Sequence, residues 1–224
     1  MKNLTIVFDL DGTLVDTAPD LLNATNHALE AVCVAPVGLE GVRASISGGA
    51  RRMIERALEI SGVELSQTKV DALLEIFLEH YVAHIAVESR PYPGVVALLA
   101  RLREIGSRLA VCTNKLERPS RRLLHELALL DFFHAVVGRD TLPICKPDPA
   151  HLVGSVILAD GNPNRSLMIG DSETDVATAK AAGVPIIAVS FGYSLRPIAE
   201  LEPDAVIDSY GELPPHIKRL GSRY

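Results

Sequence analysis

The spacing of hydrophobic positions changes period along this chain. Thr5, Ile6, Val7 and Phe8 form a continuous β-branched and aromatic run, which predicts a buried strand that carries Asp9 to a sheet edge. From Pro19 to Val32 the positions Leu21, Leu22, Thr25, Ala28, Leu29 and Val32 recur at helical spacing, so an amphipathic helix is expected to start near Thr17. Helical pattern continues through "GARRMIERALEIS" and "SQTKVDALLEIFLEHYVAHI", where Ser66 is the expected N-cap, and no strand is predicted between Asp16 and Arg90. From "RPYPGV" onward the two periods alternate. The expected order is a helix from about Gly94 to Ile105, the strand "RLAVCTN", a helix from about Pro119 to Ala128, the strand "HAVVG" and a helix after Pro149. "SLMIGD", a helix in "SETDVATAKAAG", "PIIAVS" and a short final "DAVID" complete it.

Strands separated by single helices imply an α/β fold with a doubly wound parallel sheet and right-handed crossovers. The helical block between the first strand and the later ones reads as an inserted all-helical domain. The expected division is an α/β core of residues 1–15 and 91–224 and a helical cap of residues 16–90. A hydrophobic content of 48% in 224 residues is ample for a packed interior. The 28 acidic against 22 basic residues give a net charge of −6, which argues against a nucleic-acid surface and requires a local positive site for any anionic substrate. With no run of about 18 apolar residues and no signal-peptide pattern, a soluble, cytoplasmic protein is expected, with no membrane partner. Cys33, Cys112 and Cys145 are far apart and odd in number, which suits reduced thiols, and Cys145 beside Lys146 is expected to be inert.

Polar residues recur at the downstream ends of the predicted strands. Asp9 and Asp11 follow the first, Thr113 and Asn114 end "RLAVC", Lys146 follows "HAVVG" after a loop, and Asp171 ends "SLMIG". In a parallel sheet those ends share one edge, where ligands bind at the reversal of strand order. Asp9 and Asp11 start on one side of a strand, and two close like charges call for a cation or a shared proton. An Asx turn closed by Gly12 is the plainer alternative. Asp9, Asp11, Asp171 and Asp175 offer oxygen ligands only, which favours a hard divalent cation, Mg²⁺. Thr113, the Asn114 backbone N–H and Lys146 suit a phosphoryl group. Together they describe phosphoryl transfer, with Asp9 attacking phosphorus and Asp11 protonating the leaving oxygen and later activating water. In "GDSETD" a helix cap and a metal-site role for the acids are compatible. Substrate choice is expected in the cap. There "SISGGARRMIERAL" sets Arg51 and Arg52 beside a glycine turn, either to bind a second acidic group or to lie on a solvated helix face. The seven histidines lack a trusted ligand spacing, and Phe191, Gly192 and Tyr193 either border the pocket or form a strand-to-helix turn.

The motifs "DLDGT", "CTN", the lysine of "CKPDP" and "GDSETD", in this order, resemble the haloacid dehalogenase superfamily, and the helical insertion resembles its helical-cap subgroup. Within it "GGARRMIERAL", "RPYPGV", "CTNK", "KPDPAHL" and "FGYSLRPIAELEPDAVID" are similar to the bacterial phosphoglycolate phosphatases over nearly the full length. That resemblance implies Asp9 as nucleophile, Asp11 as acid/base and backbone-carbonyl metal ligand, and Thr113 and Lys146 as phosphate-binding groups. Asp171 would be a metal ligand, and Asp175 would orient metal-bound water or Lys146. The implied enzyme is a Mg²⁺-dependent phosphomonoesterase for a small anionic ester, 2-phosphoglycolate first, acting as a monomer or homodimer. Alternatives are a phosphatase or mutase for a sugar phosphate, nucleotide or pyrophosphate, and, in a different class, a phospho-aspartate signalling module.

Overall fold

A computed structural model of the protein describes residues 4–221, so the outer limits expected for the core, residues 1 and 224, lie outside the described residues. The chain opens with β1 (Thr5–Phe8) and β2 (Val15–Asp16). It then runs through α1 (Ala18–Glu30), α2 (Leu39–Val42), α3 (Ala50–Ser61) and α4 (Gln67–Ala83) before β3 (Arg90–Pro91). Alternation follows: α5 (Val95–Glu104), β4 (Arg108–Cys112), α6 (Glu117–Glu126), β5 (Ala135–Val137), α7 (Pro149–Leu158), β6 (Ser166–Gly170), α8 (Glu173–Ala182), β7 (Ile186–Val189), β8 (Ala205–Ile207) and α9 (Leu213–Gly221).

Six strands form one parallel sheet in the order β5-β4-β1-β6-β7-β8. The central strand β1 pairs Phe8 with Val111 of β4 on one side and with Ile169 of β6 on the other. Strand order therefore reverses at β1, and the residues just past β1, β4 and β6 lie side by side. The sheet buries both faces, which is why its strands read as continuous apolar runs. Ile6, Phe8, Val111 and Ile169 point into one cluster with Leu99 of α5, Leu123 of α6 and Ile217 of α9. Val7, Ala110, Cys112 and Met168 point into the other, against Val156 of α7 and Ala179 of α8. Each such large side chain, fully buried, contributes about 1.5–3 kcal/mol.

The four-helix block from α1 to α4 enters and leaves the sheet region through a two-stranded ribbon, in which Val15 and Asp16 of β2 pair antiparallel with Pro91 and Arg90 of β3. This ribbon was not expected, because two residues per strand carry no readable period. It is braced by Asp20, which is buried and accepts hydrogen bonds from Glu88 N (3.0 Å), Ser89 N (2.8 Å) and Ser89 Oγ (2.6 Å). Ser66 occupies the N-cap position of α4 without a side-chain capping bond. The histidines His27, His80 and His84 form a stack on the block, with ring centroids 4.2 and 4.3 Å apart. Among the described residues no helix is long and apolar enough to cross a membrane, and Cys33, Cys112 and Cys145 are free thiols.

Candidate active site

Asp9 leaves β1 while its N–H still donates to Ile169 O (2.9 Å), so the sheet ladder fixes the backbone that carries it. On the flanking strands, Thr113 and Asp171 are the residues just past β4 and β6, and both are buried. Lys146 arrives on the loop between β5 and α7 and is 3% exposed. Its ammonium bridges two carboxylates, at 2.9 Å from Asp9 Oδ1 and 2.6 Å from Asp175 Oδ1. Asp175 is locked by a capping box at the start of α8. Its Oδ2 accepts from Asp171 N (3.2 Å), Ser172 N (3.1 Å) and Ser172 Oγ (2.7 Å). Helix capping and the orienting of Lys146 are thus performed by the two oxygens of one side chain.

Asp171 accepts from Thr13 Oγ1 (2.7 Å) and from Tyr193 N (2.7 Å). The approach is close enough that a Cβ on Gly12 would lie 2.5 Å from Asp171 Oδ2, and one on Gly192 2.2 Å from Asp171 Cβ, so both positions require glycine. Phe191, Gly192 and Tyr193 brace the site from behind. The Tyr193 hydroxyl donates to Asp16 Oδ1 (2.6 Å) and accepts from Thr17 N (2.8 Å), tying Asp171 to the start of α1.

Oxygens of Asp9, Asp171 and Asp175 lie within 4.8 Å of one another, and the Lys146 ammonium pairs with two of these acids, Asp9 and Asp175. Burial is the main cause that raises Asp9 to about 7, with Asp175 adding to it and Lys146 opposing. Burial likewise holds Asp171 well above the carboxylate range, reinforced by Asp175 and Asp9. Burial alone would lower Lys146, but Asp175 and Asp9 outweigh it and keep it charged. Although ion-paired, Asp9 Oδ1 is buried without a hydrogen bond. A buried, oxygen-only cluster of three acids with excess negative charge fits a hard divalent cation.

The Asp11 side chain stands apart from that cluster. The chain turns just past Asp11, at Gly12 with φ of 82°, and Asp11 is not among the three acids whose oxygens cluster. Asp11 instead accepts from Lys115 Nζ (3.0 and 3.3 Å) and from Thr17 Oγ1 (2.7 Å). The Lys115 ammonium also lies 4.4 Å from the ring centroid of Tyr81 on α4. Burial would lower Lys115, but Asp11 and then Tyr81 outweigh it and hold it charged. Thr113 Oγ1 accepts from Lys115 N (3.1 Å), which leaves its proton for a ligand, and Asn114 Nδ2 donates to Lys146 O (3.0 Å).

A cavity of about 610 Å³ separates this edge from the helical block, and Asp9, Asp11, Thr113, Asn114 and Lys146 all line it. Arg51 and Arg52 line it from the other side, each paired with an acid: Arg51 with Asp71, Arg52 with Glu59 at 2.8 Å. Sequence reasoning assigns no role in the site to Lys115, Tyr81 or Thr17, and leaves Tyr193 between a pocket border and a turn. Only Lys115 carried a signal, as the next polar residue after "CTN".

A family model described as a haloacid dehalogenase-like hydrolase matches residues 4–183. A "Phosphoglycolate phosphatase" of Mesorhizobium japonicum is 48% identical over 213 residues, which cover 95% of this chain and 94% of that protein. A crystal structure from Haemophilus somnus 129pt, described as that of a predicted phosphoglycolate phosphatase, superposes with a TM-score of 0.88 at 31% identity and covers 95% of this chain and 96% of its own. CbbY of Rhodobacter sphaeroides, solved in complex with phosphate, gives a TM-score of 0.80 at 26% identity over 96% of this chain and 97% of its own.

Proposed function

The chain belongs to the haloacid dehalogenase-like hydrolases, and on that premise we propose that it hydrolyses a small anionic phosphate ester, 2-phosphoglycolate, to glycolate and phosphate through an aspartyl phosphate on Asp9. The observation that carries this reading is the buried Asp9 at the central strand end, facing the ammonium of Lys146 at 2.9 Å. A carboxylate oxygen of Asp9 attacks phosphorus as the bond to the glycolate oxygen breaks, and Asp11 gives that oxygen its proton. Water then attacks the acyl phosphate, Asp11 takes a proton from it, and Asp9 is released with inorganic phosphate. Lys146, held by Asp175, the Thr113 hydroxyl and the Asn114 N–H stabilise charge on the transferring phosphoryl oxygens. Mg²⁺ held by the carboxylates of Asp9 and Asp171 and the backbone carbonyl of Asp11 would supply further positive charge there.

The helical block, residues 16–90, is the proposed cap, and residues 1–15 and 91–224 the core that it covers. Arg51 and Arg52 are proposed substrate contacts at the outer part of the cavity, provided they exchange Asp71 or Glu59 for the ligand. The protein is proposed to be cytoplasmic, a monomer or homodimer. The cavity volume also admits a sugar phosphate, which keeps that substrate class as a second reading. The deciding experiment measures phosphate release from 2-phosphoglycolate by protein stripped of metal, with and without added Mg²⁺. It then compares kcat/KM across 2-phosphoglycolate, sugar phosphates, nucleotides and pyrophosphate. Mg²⁺-dependent turnover with 2-phosphoglycolate ahead is the expected result; sugar phosphates ahead would establish the second reading.

A further inference from the structure

A substrate as short as 2-phosphoglycolate restricts where its second acidic group can be read. One methylene separates the ester oxygen from the carboxylate carbon, so with bonds of about 1.5 Å the carboxylate oxygens stay within about 4 Å of the ester oxygen. That ester oxygen must come within hydrogen-bond reach of Asp11, about 2.6–3.2 Å, to receive its proton. Adding a hydrogen bond of about 3 Å, the group that reads the carboxylate must lie within about 10 Å of Asp11, in the inner part of the cavity. Arg51 and Arg52 are 40% and 48% exposed and already paired with acids of the helical block. Arg139 lines the cavity but is exposed, and Lys146 is committed to Asp9 and Asp175 on the phosphoryl side. Lys115 fits the requirement: its ammonium is 3.0 and 3.3 Å from the two Asp11 oxygens, and its side chain is only 10% exposed.

A second feature points to a ligand at the same place. Tyr81, on α4, is 2% exposed, lines the cavity, and its hydroxyl is buried with no hydrogen-bond partner. A buried hydroxyl without a partner is rare in native structures and calls for one. Its ring sits against the Lys115 ammonium, which fixes the lysine from the helical side while Asp11 and the ring hold it in place. An ammonium has three donors, and the two contacts to Asp11 leave one for a ligand.

Building on the proposed phosphatase activity, we propose that Lys115, together with the Tyr81 hydroxyl, recognises the carboxylate of the substrate. Substrate choice is then made at the seam between core and helical block, one residue from the phosphate-binding Asn114. Because Tyr81 is contributed by α4, the recognition site is complete only when the helical block is closed on the core.

The test compares 2-phosphoglycolate with ethyl phosphate, which has the same length but a methyl group in place of the carboxylate. Steady-state kinetics with Mg²⁺ would be measured for the unmutated enzyme, Lys115→Met, Lys115→Arg and Tyr81→Phe. The ratio of kcat/KM for phosphoglycolate over ethyl phosphate should fall about 10- to 100-fold in Lys115→Met, as expected for loss of a charged hydrogen bond. Lys115→Arg should recover part of that ratio, and Tyr81→Phe should lower it by a smaller factor. Equal losses on both substrates in Lys115→Met would reduce Lys115 to a support for Asp11, and an unchanged ratio would remove it from recognition; either overturns the proposal. Should Lys115→Met fail to fold by circular dichroism, Tyr81→Phe decides: a lowered ratio supports the proposal and an unchanged one overturns it. If the unmutated enzyme itself shows no preference for phosphoglycolate, the substrate reading fails, and this outcome is visible before any variant is made.

Discussion

The catalytic edge of the sheet and the helical block that faces it treat charge in opposite ways. At the edge Asp9, Lys146, Asp171 and Asp175 are buried and tied to other segments: Lys146 to Asp9 and Asp175, Asp171 to Thr13 and Tyr193. On the helical block the arginines pair in the open with acids of the same or the next helix: Arg52 with Glu55 and Glu59, Arg56 with Glu59, Arg51 with Asp71. Breaking a buried pair leaves an uncompensated charge out of water, typically a loss of about 3–5 kcal/mol, whereas an exposed pair contributes about 0–1 kcal/mol. The edge is therefore intolerant and preorganised, and the block is permissive. Substitutions that change substrate choice are accessible on the block side of the cavity without endangering the fold, while the chemistry has little room to vary.

Replacing Asp9 should break the comparison most sharply, because there activity and stability are expected to move in opposite directions. Asp9→Asn should abolish turnover, checked by phosphate release, with mass spectrometry to exclude deamidation back to aspartate. In EDTA the same variant should melt above the unmutated protein. Asp9 is raised from 3.8 to about 7 in the folded state. Across that window the folded protein retains a proton that the unfolded chain gives up, so metal-free stability falls as pH rises from about 4 to about 7. The stabilisation by Asp9→Asn should be largest above pH 7 and vanish near pH 4. Added Mg²⁺ should narrow the gap by stabilising the unmutated protein. A variant that melts lower than the parent in EDTA at pH 8 would contradict the picture of an overcharged edge.

Lys146→Ala comes next in size. It removes the cation that pairs with two buried carboxylates, and a lost charge-stabilising donor lowers kcat by about 10²–10³. Because Asp9 and Asp175 would be left unpaired, a loss of about 3–5 kcal/mol in denaturant unfolding should accompany it. A change in KM alone would make Lys146 a ground-state binder.

The same contrast explains what the sequence revealed and what it hid. Central strands such as "LAVC" and "LMIG" are continuous apolar runs because the sheet buries both faces, so a polar residue at their ends, Thr113 or Asp171, stands out without any structure. Lys146 follows the same rule one loop further on. By contrast, β2 and β3 hold two residues each and carry no period, and α9 begins "LPP", where prolines tolerated in a first helical turn read as a break. Tyr81 was one apolar position in a helical stripe and Lys115 one lysine in a loop. Their contact is a product of how the block closes on the sheet, which no local pattern encodes. The partners of Asp11 were hidden for a related reason: Lys115 lies past the end of β4 and Thr17 past the turn at Gly12, where strand period no longer applies.

The smallest expected effects belong to Arg51 and Arg52, and they sharpen the comparison from its permissive side. Both pairs are exposed, so Arg51→Ala and Arg52→Ala should each change unfolding free energy by no more than about 1 kcal/mol. Their influence on catalysis should be confined to substrates with a second acidic group. An arginine that exchanges its cap acid for substrate must first give up the ion pair it already has, so its net contribution is smaller than that of a free cation. The ratio of kcat/KM for 2-phosphoglycolate over p-nitrophenyl phosphate should therefore fall less in either arginine variant than in Lys115→Met. Arg51→Ala should show the larger of the two losses, since Arg51 has one acid partner and Arg52 is shared between Glu55 and Glu59. Equal losses on both substrates would assign the arginines to folding or phosphate binding. A loss on phosphoglycolate exceeding that of Lys115→Met would move the reading of the carboxylate from the seam back to the glycine turn before α3.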